Sequence, residues 1–144
     1  MKKAQISVEY LFIIGLALAI LVPGSIMFYN YSQESNNKLV AGQINRIGKN
    51  IINQAEQMNA IGKNSWTTIE ANLPETTRNI YAKDYELVIT YQTDNGLSES
   101  VFFSDINIKG EYTDGEISPA FHSGTMKIKI EAKEGYVSIS ERTS

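Results

Sequence analysis

Glu9 has the most demanding chemical position in this chain. It stands at the mouth of a stretch, Tyr10 to Gln33, in which 24 residues pass without a charged side chain. A carboxylate at the edge of hydrocarbon is costly to keep charged and needs a partner. The plainer alternative is an interfacial charge, exposed to headgroups or set against the positive end of a helix. Elsewhere the residue types that do chemistry are scattered. His122, the single histidine, lies in Ser118-Pro119-Ala120-Phe121-His122-Ser123-Gly124, which reads as a loop. No Asp or Glu stands near it at metal-ligand spacing, so it reads as a surface histidine. No serine sits in a nucleophile motif, and there is no HExxH and no glycine-rich phosphate loop. Asp94, Asp105 and Asp114 do not follow a calcium-loop pattern and read as turn residues. The chain has no cysteine, which removes disulfides, thiol catalysis and thiolate zinc sites. Its net charge of -3 offers no basic field for nucleic acid. The expectation is a protein without enzymatic activity, cofactor, metal or nucleic-acid partner.

The element that positions Glu9 is a helix. The uncharged stretch is about 36 Å long at roughly 1.5 Å per residue, enough to cross a bilayer core of about 30 Å. It is also longer than the apolar core of an ordinary secretory signal. Lys2 and Lys3 precede it, and the next basic residue is Lys38. The positive-inside rule therefore places the N-terminus in the cytoplasm and everything after Tyr31 outside. Tyr10, Phe28, Tyr29 and Tyr31 flank the run at both ends and read as an aromatic belt. Pro23-Gly24 is expected to kink the helix, since proline removes a backbone donor and clashes with the preceding turn. Asn30-Tyr31-Ser32 is the only Asn-x-Ser/Thr sequon. Asn30 is a candidate glycosylation site whose access is limited by the membrane beside it.

The helix is expected to continue past the membrane. Val40, Ile44, Ile47, Ile51, Met58 and Ile61 recur at helical spacing, with uncharged amides between them, and Gly62 reads as the stop. From Trp66 the period becomes two. Tyr85, Leu87, Ile89 and Tyr91 alternate with polar residues, as do Met126, Ile128, Ile130 and Ala132, then Val137 and Ile139. Such alternation means strands with one buried face. Asp94-Asn95-Gly96, Asp114-Gly115 and Glu134-Gly135 are the turn signals between them. The simplest topology is an antiparallel meander on the apolar helix face from Ile44 to Ile61. The lone Trp66, at the junction of helix and sheet, reads as a core anchor rather than a ligand platform. The expected fold is α+β: a long N-terminal helix over 5–62, transmembrane over 10–31, packed on an antiparallel β-sheet head over 63–144.

The start of the chain resembles a known family. Lys3-Ala4, then Gln5, Ser7, Glu9 and Tyr10, followed by the apolar run, are similar to the archaeal type IV pilin-like proteins with a class III signal peptide. That resemblance covers about ten residues and implies a leader of residues 1–4, cut by a membrane prepilin peptidase between Ala4 and Gln5. Lys3, Ala4, Gln5 and Ser7 would form the processing site, with Ser7 belonging to recognition rather than to a helix cap. The hydrophobic helix would be retained. Glu9 would pair with the new α-amine of Gln5 on a neighbouring subunit during assembly. The implied protein is a structural pilus subunit, with surface adhesion as its expected role. Its partners are copies of itself or other pilins in a helical filament, and membrane lipid before assembly. The alternative is a membrane-tethered binding module that uses the same leader and never polymerises.

Overall fold

The computed structural model describes residues 2–143. Met1, part of the expected leader, and Ser144, the last residue of the expected head, lie outside the described residues. The elements in chain order are helix α1 (Lys2–Ile61), strands β1 (Trp66–Leu73), β2 (Thr77–Lys83), β3 (Glu86–Thr93), β4 (Gly96–Phe103) and β5 (Ile108–Gly110), a 3-10 turn (Thr113–Gly115), β6 (Gly124–Ala132) and β7 (Val137–Glu141). This is the α+β arrangement of a long N-terminal helix followed by a sheet domain. Two compact units divide it, Met1–Lys38 and Leu39–Ser144.

The first unit is helix alone. Every residue from 2 to 32 is exposed, including Phe12 at 72%, Met27 at 72% and Phe28 at 74%. The helix is long and apolar enough to cross a membrane. It continues through Pro23 rather than breaking there. The Ser25 hydroxyl donates to the Leu21 carbonyl at 2.7 Å, so this polar group is satisfied by its own helix, as apolar surroundings require. Beyond the apolar run, Lys38 pairs with Glu34 at 2.8 Å.

In the second unit the rest of α1 enters one core that it shares with residues of two sheets. The buried helix residues are Ile44, Gly48, Ile51, Ile52, Ala55 and Met58. Positions 44, 48, 51, 55 and 58 follow alternating steps of four and three, one stripe in which two members are small. That is why Gly48 and Ala55 escape a search for large apolar residues. Val40 and Ile47 are half-buried. Ile61, expected on the same face, is 70% exposed, because it is the last helical residue before the chain turns away. Gly62 takes a φ of +124° there, its N–H reaches the Met58 carbonyl at 3.1 Å, and Ser65 donates its hydroxyl to the same carbonyl at 2.8 Å. Both bonds satisfy the Met58 carbonyl, one of those in the last turn of the helix.

The strands do not form one meander. The four-stranded sheet has order β1-β6-β7-β5 and the three-stranded sheet β2-β3-β4. β5 pairs with β7 in parallel, the remaining pairs being antiparallel. Alternation reports which face of a strand is buried, not its neighbour. Pro74 follows β1 and lacks an N–H, and β1 leaves β2 to pair with β6 instead. Tyr85, expected at the start of β3, lies in the tight turn before it with φ of +73°, next to Asp84 at +50°. Both central residues at positive φ give the turn the twist that suits a two-residue hairpin. The sheets meet where Tyr81 bridges to Glu116 and the Ile117 N–H reaches the Ile80 carbonyl at 3.2 Å. Ile80, Leu87, Ile89, Ile128, Ile130 and Ile139 are fully buried between the layers, each worth about 1.5–3 kcal/mol.

Helix and sheet approach closely at Gly48. A Cβ placed there would lie 2.3 Å from Cε2 of the Phe102 ring. Gly48→Ala gains about 1 kcal/mol in helix propensity, but overpacking costs about 1–3 kcal/mol. The expected net result is a destabilised head, read as a lower melting temperature of the chain in detergent. Adding Phe102→Leu should recover most of the loss. A melting temperature raised by Gly48→Ala would mean that the ring yields freely.

Candidate processing and assembly segment

Lys3, Ala4, Gln5, Ser7 and Glu9 all lie on α1 and are all exposed. The Ala4-Gln5 bond falls in the first helical turn, where unwinding a few residues into an extended strand breaks few hydrogen bonds. The helix begins at Lys2, so Glu9 stands well beyond its first turn, outside the reach of the favourable end of the dipole. Among the described residues the Glu9 carboxylate makes no hydrogen bond or ion pair. The Ser25 hydroxyl is satisfied within its own helix, whereas the nearest group of opposite charge along the helix from Glu9 is Lys3, six residues away. Gln5 is one turn from Glu9, and an amine created there would share its neighbourhood. Asn30 is exposed near the far end of the apolar run.

The second cluster of polar side chains is at the end of β7. His122 places Nε2 2.6 Å from Oε1 of Glu141, while Ser118 donates its hydroxyl to the other carboxylate oxygen. The carboxylate sits between serine and imidazole. A nucleophilic relay would need the imidazole in the middle, so these three groups are not arranged as one. They instead pin the segment 118–123 to the sheet: Ser118 Oγ also accepts from the Ala120 N–H at 3.3 Å. His122 is exposed, as a surface histidine is expected to be, and the fold adds a carboxylate partner to it. Its carboxylate partner lies 19 positions away in sequence and reaches it only through the fold.

The His122 pKa is raised above its ordinary 6.5, first by the hydrogen bond with the Ser123 carbonyl and then by that with Glu141. For Glu141, burial works against the charged form, yet the bonds from Ser118 and His122 together hold its carboxyl below the ordinary 4.5. A raised histidine pKa contributes stability that is complete below 6.5 and lost as pH rises through the folded value. A lowered carboxylate pKa contributes stability that is complete above 4.5 and lost as pH falls through the folded value. The pair is therefore most effective between those two ordinary values. Wild type and His122→Ala should differ most in melting temperature in that window and converge at alkaline pH. A difference independent of pH would reduce the contact to packing.

Trp66 is 54% exposed and does not anchor the core. Two cations stand over its ring, with Lys129 Nζ 5.6 Å and Arg142 Cζ 5.5 Å from the centroid. An outward position on β1 accounts for this: residues paired in register with Trp66 and Thr68 are Glu131 and Lys129, which belong to the polar face of β6. Nothing in the local sequence of Trp66 foretells which face it takes.

Residues 2–22 match the family described as class III signal peptide. The chain gave no match to curated proteins or to solved structures. The class III match indicates a type IV pilin-like protein, made as a membrane-anchored precursor and secreted toward the surface. It covers the leader and the first part of the hydrophobic helix, and it leaves the sheet unit to be read from its own geometry.

Proposed function

We propose that this chain is a structural subunit of an archaeal type IV-like pilus. A prepilin peptidase cuts between Ala4 and Gln5, with Lys3 and Ser7 completing the recognition site. The retained helix holds the precursor in lipid, N-terminus inward and head outward, and then polymerises with copies of itself or with other pilins. The head is the part that meets surfaces, and adhesion is its role. The observation that carries this reading is the junction of the class III match over residues 2–22 with a fully exposed apolar helix. So much exposed hydrocarbon in one helix needs lipid or other helices around it. A filament core supplies the second once the first is left behind.

Sequencing the N-terminus of material sheared from the surface of the source cell tests the proposal. The expected result is fibres whose main component begins at Gln5. A chain beginning near Ser25 or Ser32 would point to ordinary signal removal. Membrane-held chain that begins at Gln5 without fibres would favour the tethered binding module.

A further inference from the structure

A cleft runs between α1 and β1. Its volume is about 510 Å3, inside the range of about 300–1,000 Å3 typical of small-ligand sites. The helix wall comes from one row of side chains. Arg46, Asn50 and Asn53 follow steps of four and three, with Lys49 beside them, and residues so spaced are neighbours on a helix surface. The turns that hold Gly48 and Ile51 in the core leave this row exposed. The strand wall is β1, where exposed Glu70 and Asn72 alternate with Ile69 and Ala71. Half-buried Ile47 and Ile69 and buried Ala71 form an apolar floor.

The polar groups around this floor are unengaged. Among the described residues, the side chains of Arg46, Lys49, Asn50, Asn53, Glu70 and Asn72 make no hydrogen bond or ion pair. Lys127 stands opposite Glu70 in register and forms no ion pair with it. Two cations and one carboxylate thus line the cleft, in a chain whose net charge is -3. Other clefts lack this set. At Tyr81, Asp84 and Glu86 stand with a single lysine, Lys83. Beside β4 the wall is Phe102, with no charged residue but Lys49.

The donor and acceptor types select the ligand. Arg46 and Lys49 only donate and carry charge, so they call for an anion. A sulfate or phosphodiester would satisfy them and leave the rest idle, because neither has a donor for Glu70 or for the asparagine oxygens. Glu70 only accepts, and each asparagine amide both donates and accepts. Sugar hydroxyls do both as well, and the C–H face of a sugar ring suits an apolar floor. An extended peptide also donates and accepts, but its affinity would come from pairing with the open edge of β1. The helix closes that edge at Asn72, whose carbonyl accepts from Gln43 Nε2 at 2.8 Å.

We propose that this cleft binds a uronic acid unit of an anionic polysaccharide. The sugar carboxylate lies on Arg46 and Lys49. Its hydroxyls are shared between Glu70 and the amides of Asn50, Asn53 and Asn72, and its ring rests on Ile47 and Ile69. The inference rests on the reading of the head as the part that meets surfaces, and it names the chemistry that is met. The site is complete within one copy, so it can be tested apart from assembly.

Titration calorimetry of the full-length chain in detergent with trigalacturonate is the test. Trigalacturonate should bind, and galactotriose, sulfate and a triglutamate peptide should each bind several-fold more weakly or not at all. Arg46→Gln with Lys49→Gln should lower the affinity about tenfold or more, as losing hydrogen bonds to a charged group does. Asn50→Ala with Asn53→Ala should lower it several-fold. All four positions are exposed, so the melting temperature should stay near that of wild type. Lys109→Gln, outside the cleft, should leave binding unchanged. Absence of trigalacturonate binding, or binding that survives both double variants, would overturn the proposal. Equal binding of sulfate would reduce the cleft to a charged patch, and equal binding of triglutamate would make it a peptide groove; either result overturns the proposal too. Fibres that begin at Gln5 without uronate binding would leave the subunit reading standing and remove this site. Uronate binding by a chain that never forms fibres would keep the site and remove that reading.

Discussion

Glu9→Gln is expected to leave the precursor inserted and cleaved while filament yield falls about tenfold or more. A tenfold change needs only about 1.4 kcal/mol, and leaving one member of a buried ion pair alone costs about 3–5 kcal/mol. The variant keeps the shape and some hydrogen bonding of the glutamate and removes its charge. Within one helix, Gln5 and Glu9 are four residues apart, about 6 Å at roughly 1.5 Å per residue. If Glu9 meets the amine of the next subunit, adjacent helices must be staggered by that distance. A helical filament supplies the stagger and a flat side-by-side bundle does not. Glu9→Asp shortens the reach and should be intermediate. Membrane insertion should be unaffected or eased, since a neutral amide costs less at the edge of hydrocarbon than a carboxylate. The measurement is processed monomer in membranes against filament yield, for both variants. Wild-type yield from Glu9→Gln, with processing intact, would make the carboxylate an interfacial charge and nothing more.

The helix could be read from sequence because its signals are local: an uncharged run, then apolar residues at steps of three and four. The same holds for the buried faces of β3, β6 and β7, since Leu87, Ile128 and Ile139 point inward by alternation alone. Strand partners could not be read, because pairing depends on which backbone edges are left open after the whole chain has collapsed. β5 is short, and its parallel partner β7 lies beyond β6 in the chain, so no local pattern announces the pairing. The small members of the helix stripe, Gly48 and Ala55, carry no hydrophobic signal of their own, although the Phe102 ring packs against Gly48. His122 and Glu141 meet by the same long-range route. Trp66 is exposed rather than a core anchor for a different reason. Tryptophan is usually buried, but its rim can also be satisfied by the stems and charges of Lys129 and Arg142. The N-terminal segment is the opposite case: its motif is contiguous and legible in the sequence, whereas the assembly partner proposed for it is a second copy, which one chain does not contain.

Gly110→Ala is expected to destabilise the head more than any other single change to alanine discussed for this fold. A Cβ on Gly110 would fall 1.9 Å from the Gly115 carbonyl oxygen and 2.6 Å from that of Glu116. Unlike the Phe102 ring beside Gly48, these atoms are backbone and are fixed on several sides. The Gly115 N–H reaches the Tyr112 carbonyl at 3.1 Å, the Glu116 N–H reaches Thr113 at 3.2 Å, and the Tyr112 N–H reaches Glu116 at 3.0 Å. Gly115 is itself at a φ of +85°, with the Ala82 carbonyl oxygen 2.5 Å from where its Cβ would be. Three backbone segments, β5, the 3-10 turn and β2, thus stack without side chains between them. This stack is the joint between the two sheets, so a displaced turn opens the core on both sides. The expected cost is about 3 kcal/mol or more, the range of severe core disruption. For a head of this size that lowers the melting temperature by about 10 °C or more. Gly135→Ala, at a positive φ but with open space around it, isolates the conformational penalty alone and should cost only about 1 kcal/mol. Melting of both variants as full-length protein in detergent separates the two effects. Equal shifts would show that the turn at Thr113–Gly115 moves aside without loss, and the joint would then be held by Tyr81, Glu116 and Ile117 rather than by the close approach of glycines.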